Sequence, residues 1–312
     1  MEDVKPKKPA HRRAFLAAGL VLSACGLLAA CGQAAYFLIG RRMGYVYVYD
    51  AWLYLVNAAF LGAFLFAAAC FAVRFWKRRT GWAPVAAAAV FALLFALNAV
   101  VCDQNSAAFM QTTVTSPPEG GGEAVFKTDT ASGETAEYRR RFFFFAKERE
   151  AFPYAADGER KIQWLAPDVC AVTYQDGAGR IHQYVSANGD RGTGISYYYV
   201  LNAVWGGWGA ADGSGWTITA ENQKITLKMG DVTEVYSAEE CVQRGTLALL
   251  LCRDGLPQWT LVLDENCRLE ERTDLVEAGG TISLCKVSMD KTEPRTFARL
   301  SDPVEELLGG AA

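Results

Sequence analysis

The sequence predicts an α-helical membrane anchor of three transmembrane helices, followed by an all-β antiparallel domain: a sandwich, a barrel or a propeller-like meander. Three observations predict it. Residues 14–40, 51–73 and 82–102 are apolar runs without a single Asp, Glu, Lys, Arg or His. Charge divides at the end of the third run. Residues 1–102 hold eleven Lys and Arg against three acids, a net +8, and the remainder holds twenty against thirty-one, a net −11. From Tyr138 onward, short alternating runs separated by Gly-, Asn- and Asp-containing turns replace the long ones.

Each apolar run is near or above the ~20 residues that a helix needs to cross ~30 Å of hydrocarbon. Five Lys and Arg precede the first run, and Arg74, Lys77, Arg78 and Arg79 follow the second, whereas the first loop holds only Arg41 and Arg42. Basic loops stay cytoplasmic. The expected localisation is therefore a multi-pass cell-membrane protein with its N-terminus cytoplasmic and everything after Cys102 extracytoplasmic. Tyr45, Tyr47, Tyr49, Trp52 and Tyr54 suit an interfacial aromatic belt at one end of the helices, and Trp76 and Trp82 suit one at the other. Leu22–Cys25 and Leu28–Cys31 each look like a lipoprotein cleavage box. The apolar run continues to Ile39, longer than a signal peptide requires, so an uncut helix is expected.

The spans carry no Asp, Glu, Lys, Arg or His, and their amide side chains are Gln33, Asn57 and Asn98. Pumps, transporters and channels need charge or coordinating groups at depth, so these activities are disfavoured. Small residues at Gly26/Ala30, Ala58/Gly62 and Ala86/Val90 permit close helix packing. The plain reading is an anchor, and the sharper one is docking to another membrane protein.

The organisation expected is a basic cytoplasmic tail at 1–13, the anchor at 14–102, a tether at 103–137, the β domain at 138–300 and a flexible tail at 301–312. The tether reading rests on Pro117-Pro118 and Gly120-Gly121-Gly122, with a short strand at 124–128. Strands are expected at 138–146, 161–165, 169–175, 180–186, 194–201, 215–220, 224–229, 231–236, 246–253, 258–264 and 281–287, although 134–152 also reads as helix. Their alternation, as in Trp216-Thr217-Ile218-Thr219, and their β-branched and aromatic content suit half-buried pleats. Asp176-Gly177, Asn188-Gly189, Asp212-Gly213 and Asp254-Gly255 supply hairpin turns.

The acidic second part argues against nucleic acid as a partner, because phosphate binding needs a basic face. No Walker loop, GxGxxG, HExxH, EF-hand or Cys/His metal spacing occurs, so neither cofactor nor metal is expected. Five cysteines follow residue 102 (Cys170, Cys241, Cys252, Cys267 and Cys285), which admits a Cys252–Cys267 or Cys241–Cys267 bridge. His182 is the one histidine there; it lacks a nucleophile elbow, and an exposed strand histidine is the plain reading. Ser283–Lys286 and Ser288–Lys291 have SxxK spacing without its companion motifs.

The stretch from Asn188 to Trp216 places three Trp and three consecutive Tyr among eight Gly. Trp205, Trp208, Trp216 and Tyr198, with Asp190 and Arg191 as a polar clamp, form the candidate ligand-binding set, since flat rings on Gly-rich loops can stack on sugars or peptide side chains. The plain alternative puts the Trp rings in the core, Tyr197 and Tyr199 on one packed strand face, and Asp190-Arg191 in a turn. Arg139–Phe145 (RRRFFFF) is either a buried strand with a charged edge or a basic-aromatic segment resting on anionic lipid. The functional expectation is a non-enzymatic, extracytoplasmic binding or interaction module of a bacterial envelope. Its partners would be the bilayer and a glycan, a peptide or a membrane protein. The alternatives are an envelope hydrolase and an accessory subunit of a larger membrane complex.

Overall fold

The structure, a computed structural model, describes residues 10–76, 81–192 and 197–300, with side chains from Arg13. The start of the basic tail, Lys77, Arg78 and Arg79 of the second loop, the first residues of the strand expected at 194–201 and the 301–312 tail lie outside these residues. Three long helices come first: α1 (Ala10–Ala35), α2 (Ala51–Phe75) and α3 (Trp82–Asn105). With short extensions they give spans of 31, 25 and 27 residues with mean hydropathy 2.2, 2.1 and 2.5, long and apolar enough to cross a membrane. α1 runs unbroken through Cys25 and Cys31.

Among the described residues, seventeen strands accompany them. The first, β1 (Tyr45–Tyr47), joins α1 to α2. After α3 come β2 (Gln111–Thr115), β3 (Ala124–Thr128), β4 (Thr135–Arg140) and β5 (Phe145–Ala151), then β6 (Asp157–Ala166), β7 (Val169–Gln175) and β8 (Ile181–Ala187). A helical turn, α4 (Val200–Ala203), precedes β9 (Gly206–Ala210), β10 (Thr217–Glu221), β11 (Lys224–Met229) and β12 (Val232–Ser237). The last five are β13 (Cys241–Arg244), β14 (Ala248–Arg253), β15 (Leu256–Leu263), β16 (Thr281–Lys286) and β17 (Arg295–Arg299). They form sheets in the orders β1-β5-β4-β3-β2, β6-β7-β8 and β12-β11-β10-β9-β17-β16-β15-β14-β13. The fold class is thus three apolar helices and an all-β antiparallel part with a nearly closed, barrel-like sheet.

The segment expected to be a tether carries β2, the expected short strand at 124–128 as β3, and the start of β4. β3 is buried along its whole length, and β4 begins at Thr135. The strand expected at 138–146 is instead the two arms of a hairpin, and the one expected at 194–201 ends in α4.

The chain falls into two compact units. The first holds the described residues up to Thr112, with Lys127–Ala131 and Tyr138–Glu150, and the second holds Thr113–Phe126, Ser132–Glu137 and Ala151 onward. In the first, α2 packs against both α1 and α3. A Cβ on Gly26 would lie 3.2 Å from the Phe64 ring and 3.3 Å from Ala63, so glycine there lets α1 and α2 approach closely. Polar side chains at depth satisfy one another. Gln33 Nε2 donates to Asn57 Oδ1 at 2.9 Å, Tyr47 Oη donates to Gln33 Oε1 at 2.6 Å, and Asn98 Nδ2 donates to the Tyr54 carbonyl at 3.0 Å.

In the second unit, the nine-stranded sheet curls until its two edges, β12 and β13, are separated only by the turn Ala238–Glu240. β9 pairs with β17, so the first strand of the barrel closes on the last. Pleating sends alternate residues inward, among them Ile218, Leu227, Leu251, Leu261, Leu284 and Phe297, while Val200, Ala203 and Val204 at α4 join the same core. The opposite face of β14–β16 packs on β7 and β8 through Leu250, Cys252 and Val262 against Val169, Ala171 and Val185. The far face of β7 and β8 is covered in turn by Ala124, Phe126, Phe152 and Ala156. Cover on both faces explains why β7 reads VCAVTY without polar alternation.

Candidate functional site

α1 does not stop at Ala35. It continues through a π-helical turn, Tyr36–Gly40, and a 3-10 turn, Arg41–Met43, and ends on Gly44 at φ +79°. That left-handed conformation favours glycine, the usual helix terminator. The π turn is wider than an α turn and occurs often at functional sites. A Cβ on Gly40 would lie 3.1 Å from the Tyr36 ring, so a side chain there would push on that ring.

Arg139–Phe145 forms a hairpin tip beside this turn. The Arg141 and Phe142 amides donate to the Phe145 carbonyl, and the Phe145 amide donates to that of Phe142. β5 then pairs with β1, with Tyr47 opposite Phe145 and Tyr45 opposite Lys147. The tip leaves Phe142 64%, Phe143 72% and Phe144 42% exposed. Aromatic contacts hold it to the helix ends. Phe143 stacks on Trp52 (6.2 Å between centroids, 5° between planes), Phe144 meets Trp52 edge-on at 4.9 Å, and Phe145 stacks on Tyr36 at 5.3 Å. The tip is therefore not a buried strand but an exposed aromatic ridge at the helix termini, where interfacial side chains of membrane proteins concentrate.

Between the π turn and the tip lies a cleft of about 430 Å³, lined by Gly32, Ala35, Tyr36, Ile39, Gly40, Met43, Tyr45 and Phe142–Phe145, all of the first unit. The size is that of a small-molecule pocket. Its only side-chain heteroatoms are two tyrosine oxygens and one thioether sulfur. Buried polar groups brace the surroundings. The Lys127 side chain is 2% exposed; its ammonium pairs with Asp50, donates to the Tyr47 carbonyl at 3.1 Å and lies 5.8 Å from the Tyr138 ring centroid. Burial pushes the Tyr47 phenol up to about 12, so it stays protonated and serves as the donor to Gln33.

The set expected from the sequence is dispersed within the second unit. Trp208 is fully buried in the barrel, with Nε1 donating to the Val204 carbonyl at 2.8 Å and the Arg299 guanidinium 4.6 Å from its centroid. Tyr198 is 3% exposed, and burial pushes its phenol up to about 12. Arg191 is a strut rather than a ligand clamp. Its guanidinium forks onto the Asp168 carboxylate and donates to the Asp264 and Leu263 carbonyls. Asp190 accepts from the Gly192 amide in the same turn. Trp216 is half-buried beneath Arg295, 3.8 Å from its ring. Trp205 lines a small cavity of about 170 Å³ with Asn202 and Glu221–Lys224. No shared aromatic surface results, because β9 points Trp208 inward. The exposed rings of that stretch are Tyr197 and Tyr199, edge-to-face at 5.6 Å, on either side of buried Tyr198.

His182 is buried rather than exposed. Its Nε2 faces Asp176 Oδ2 at 3.0 Å, and its ring stacks on Tyr154 at 4.2 Å. The His182 imidazole, then the Arg180 side chain and the Ala178 and Arg180 amides, hold the Asp176 carboxyl well below the usual carboxylate range. A depressed carboxylate stabilises the fold above its unfolded value of about 3.9 and loses that contribution as pH falls. Acid unfolding of the full chain should therefore begin below about pH 4, and Asp176→Asn should flatten that limb of the melting temperature–pH curve while lowering stability at pH 7. An unchanged acid limb in Asp176→Asn would remove Asp176 from this role.

All nine cysteines are free. Burial pushes Cys241 and Cys267 up to about 12 and raises Cys170, Cys252 and Cys285 as well, so these five thiols stay protonated at neutral pH. Among the described residues, no three His, Cys, Asp or Glu side chains gather as a metal site. No known protein family, curated protein or solved structure matches the chain.

Proposed function

We propose that the protein is a membrane-anchored, extracytoplasmic binding module of a bacterial cell envelope, and that its ligand is an amphiphile whose apolar chain lies in the cleft between the π turn and the phenylalanine tip. One observation carries this reading: the 430 Å³ cleft is lined almost wholly by apolar side chains and sits at the end of helices long enough to span a bilayer. A chain can reach such a cleft from the adjoining leaflet without crossing water, and burying its methylenes in protein is favourable at about 0.8 kcal/mol each relative to water. The exposed Phe142–Phe144 ridge fits the same place, since a contiguous apolar patch marks a membrane or ligand contact. The basic segments before α1 and after α2 support the orientation, with the β-rich part opposite the cytoplasm.

Gly32 supplies the test. A Cβ on Gly32 meets nothing within 4 Å, so Gly32→Phe projects a ring into the cleft from a position that tolerates a side chain, and replacing a helical glycine is not itself destabilising. Full-length protein in mild detergent should retain stoichiometric lipid by native mass spectrometry, and Gly32→Phe should lose it at an unchanged melting temperature. Equal lipid retention in both proteins would overturn the cleft as the binding site.

A further inference from the structure

A second cavity lies in the β-rich unit, and its lining is unlike that of the cleft. Its volume is about 170 Å³, and all its lining residues belong to that unit. β10 runs antiparallel to β9 with Ala220 opposite Gly206, so the turn that follows Ala220 stands beside Trp205, which precedes Gly206. The backbone fixes the Trp205 side. The Trp205 amide donates to the Asn202 carbonyl at 3.0 Å, and the Trp205 carbonyl accepts from the Arg299 guanidinium at 2.8 Å. Leu201 and Ala220 supply apolar surface beside the half-buried indole. Asn202, Asn222 and Gln223 line the cavity with carboxamides, and Glu221 and Lys224 with a carboxylate and an ammonium. Glu221 and Lys224 face each other in the β10–β11 ladder, yet among the described residues neither forms an ion pair. Their charges cancel, so the lining favours a neutral ligand.

The turn itself is strained. Asn222 and Gln223 have φ of +50° and +59°. A two-residue hairpin loop with φ > 0 at both positions favours Asn-Gly. Asn222 fits that rule, but Gln223 stands where glycine is preferred. No strong contact holds its side chain: Nε2 donates to Asn202 Oδ1 at 3.4 Å, long for such a bond. Strained residues of this kind cluster at ligand clamps. What Gln223 offers over glycine is a carboxamide at the cavity.

We propose that this cavity binds one neutral sugar ring, a hexose unit of a glycan. The C–H face of the ring lies against Trp205, and its hydroxyls bond to Asn202, Glu221, Asn222 and Gln223. A carboxamide both donates and accepts, as a hydroxyl does, and a carboxylate accepts from two neighbouring hydroxyls. One aromatic surface with a few polar groups to fix orientation is the make-up of a small-ligand site. This site is separate from the apolar cleft and does not depend on what the cleft holds.

The experiment is saturation-transfer NMR on the full-length protein in a detergent without a sugar headgroup. The probes are the methyl glycosides of glucose, galactose and mannose, with N-acetylalanine methylamide as a peptide unit. At least one glycoside should receive saturation, strongest on the protons of one ring face, and the peptide unit should receive little. Trp205→Ala and Glu221→Gln should each weaken that glycoside by about tenfold. Glu221 is exposed, so Glu221→Gln is expected at the parent melting temperature. Gln223→Gly should also weaken binding while raising the melting temperature, because glycine relieves the turn. A residue with a structural role alone would not give that pair of effects. No saturation of any glycoside overturns the proposal. Glycoside binding unchanged in both Glu221→Gln and Gln223→Gly overturns this cavity as the site. Equal saturation of the peptide unit, lost in the same variants, makes the cavity a peptide site and overturns the sugar assignment.

Discussion

Asp168→Ala should destabilise the β-rich unit by roughly 3–5 kcal/mol, the cost of leaving a buried charge without its partner. The Arg191 side chain is 7% exposed and that of Asp168 20%, and the two meet in a bidentate pair. Arg191 also donates to the carbonyls of Leu263 and Asp264 at the end of β15, so one guanidinium ties the turn before β7 to the barrel. Removing the carboxylate leaves the cation buried with carbonyl partners only. Gly189→Ala should act on the same pair, because a Cβ there would lie 2.1 Å from Asp168 Oδ2 and 3.1 Å from Leu247 Cδ1. For a domain of this size the expected drop in melting temperature for Asp168→Ala is about 6–20 °C. It can be read by near-ultraviolet circular dichroism of the full chain in detergent. A drop under about 2 °C would show that Arg191 finds water or another acceptor, and that the strut is dispensable.

Trp208→Ala should cost a comparable amount, about 3–5 kcal/mol. The ring is fully buried in the barrel core, its indole N–H is bonded to the Val204 carbonyl, and Arg299 stacks on it. Truncation removes the largest fully buried side chain of this unit and leaves a cavity that β-strands cannot collapse to fill. Trp205→Ala should cost less, since that ring is half-buried at a shallow cavity. Urea unfolding of both variants distinguishes the two positions. Equal, small losses would return Trp208 to the surface as a ligand contact.

The three helices were legible because a span without charge over more than twenty residues has few other places to go. Most barrel strands were legible through their turns, where Asp and Gly mark positive φ, as at Gly213, Asp254 and Gly255. β3 was legible as a short strand at 124–128, but its burial was not, because Lys127 looks like a surface residue. The acid that makes its burial tolerable, Asp50, lies 77 positions away and cannot be paired with it by eye. The dispersal of the candidate Trp set was hidden for a different reason. The sequence of β9, GGWGA, has no apolar alternation to reveal which face Trp208 takes, so inward and outward readings were equivalent. The phenylalanine tip left a usable signal. Four consecutive aromatic residues cannot lie on one face of a pleat, and a strand that must expose two of them is better explained as a turn that shows several.

The closure of β9 on β17 sets a clock on biosynthesis. From Ala210, the end of β9, to Arg295, the start of β17, the chain runs 85 positions. At ~5–20 residues per second, the ribosome needs roughly 4–17 s to supply them. Through that interval β9 lacks one neighbour, and the nascent sheet shows an unpaired edge that foreign strands can extend. Among the described residues the last strand, β17, is the one that removes this hazard, so a chain interrupted before residue 295 should leave the β9 edge open to foreign strands. The strand that protects this edge is thus far in sequence from the three long apolar helices.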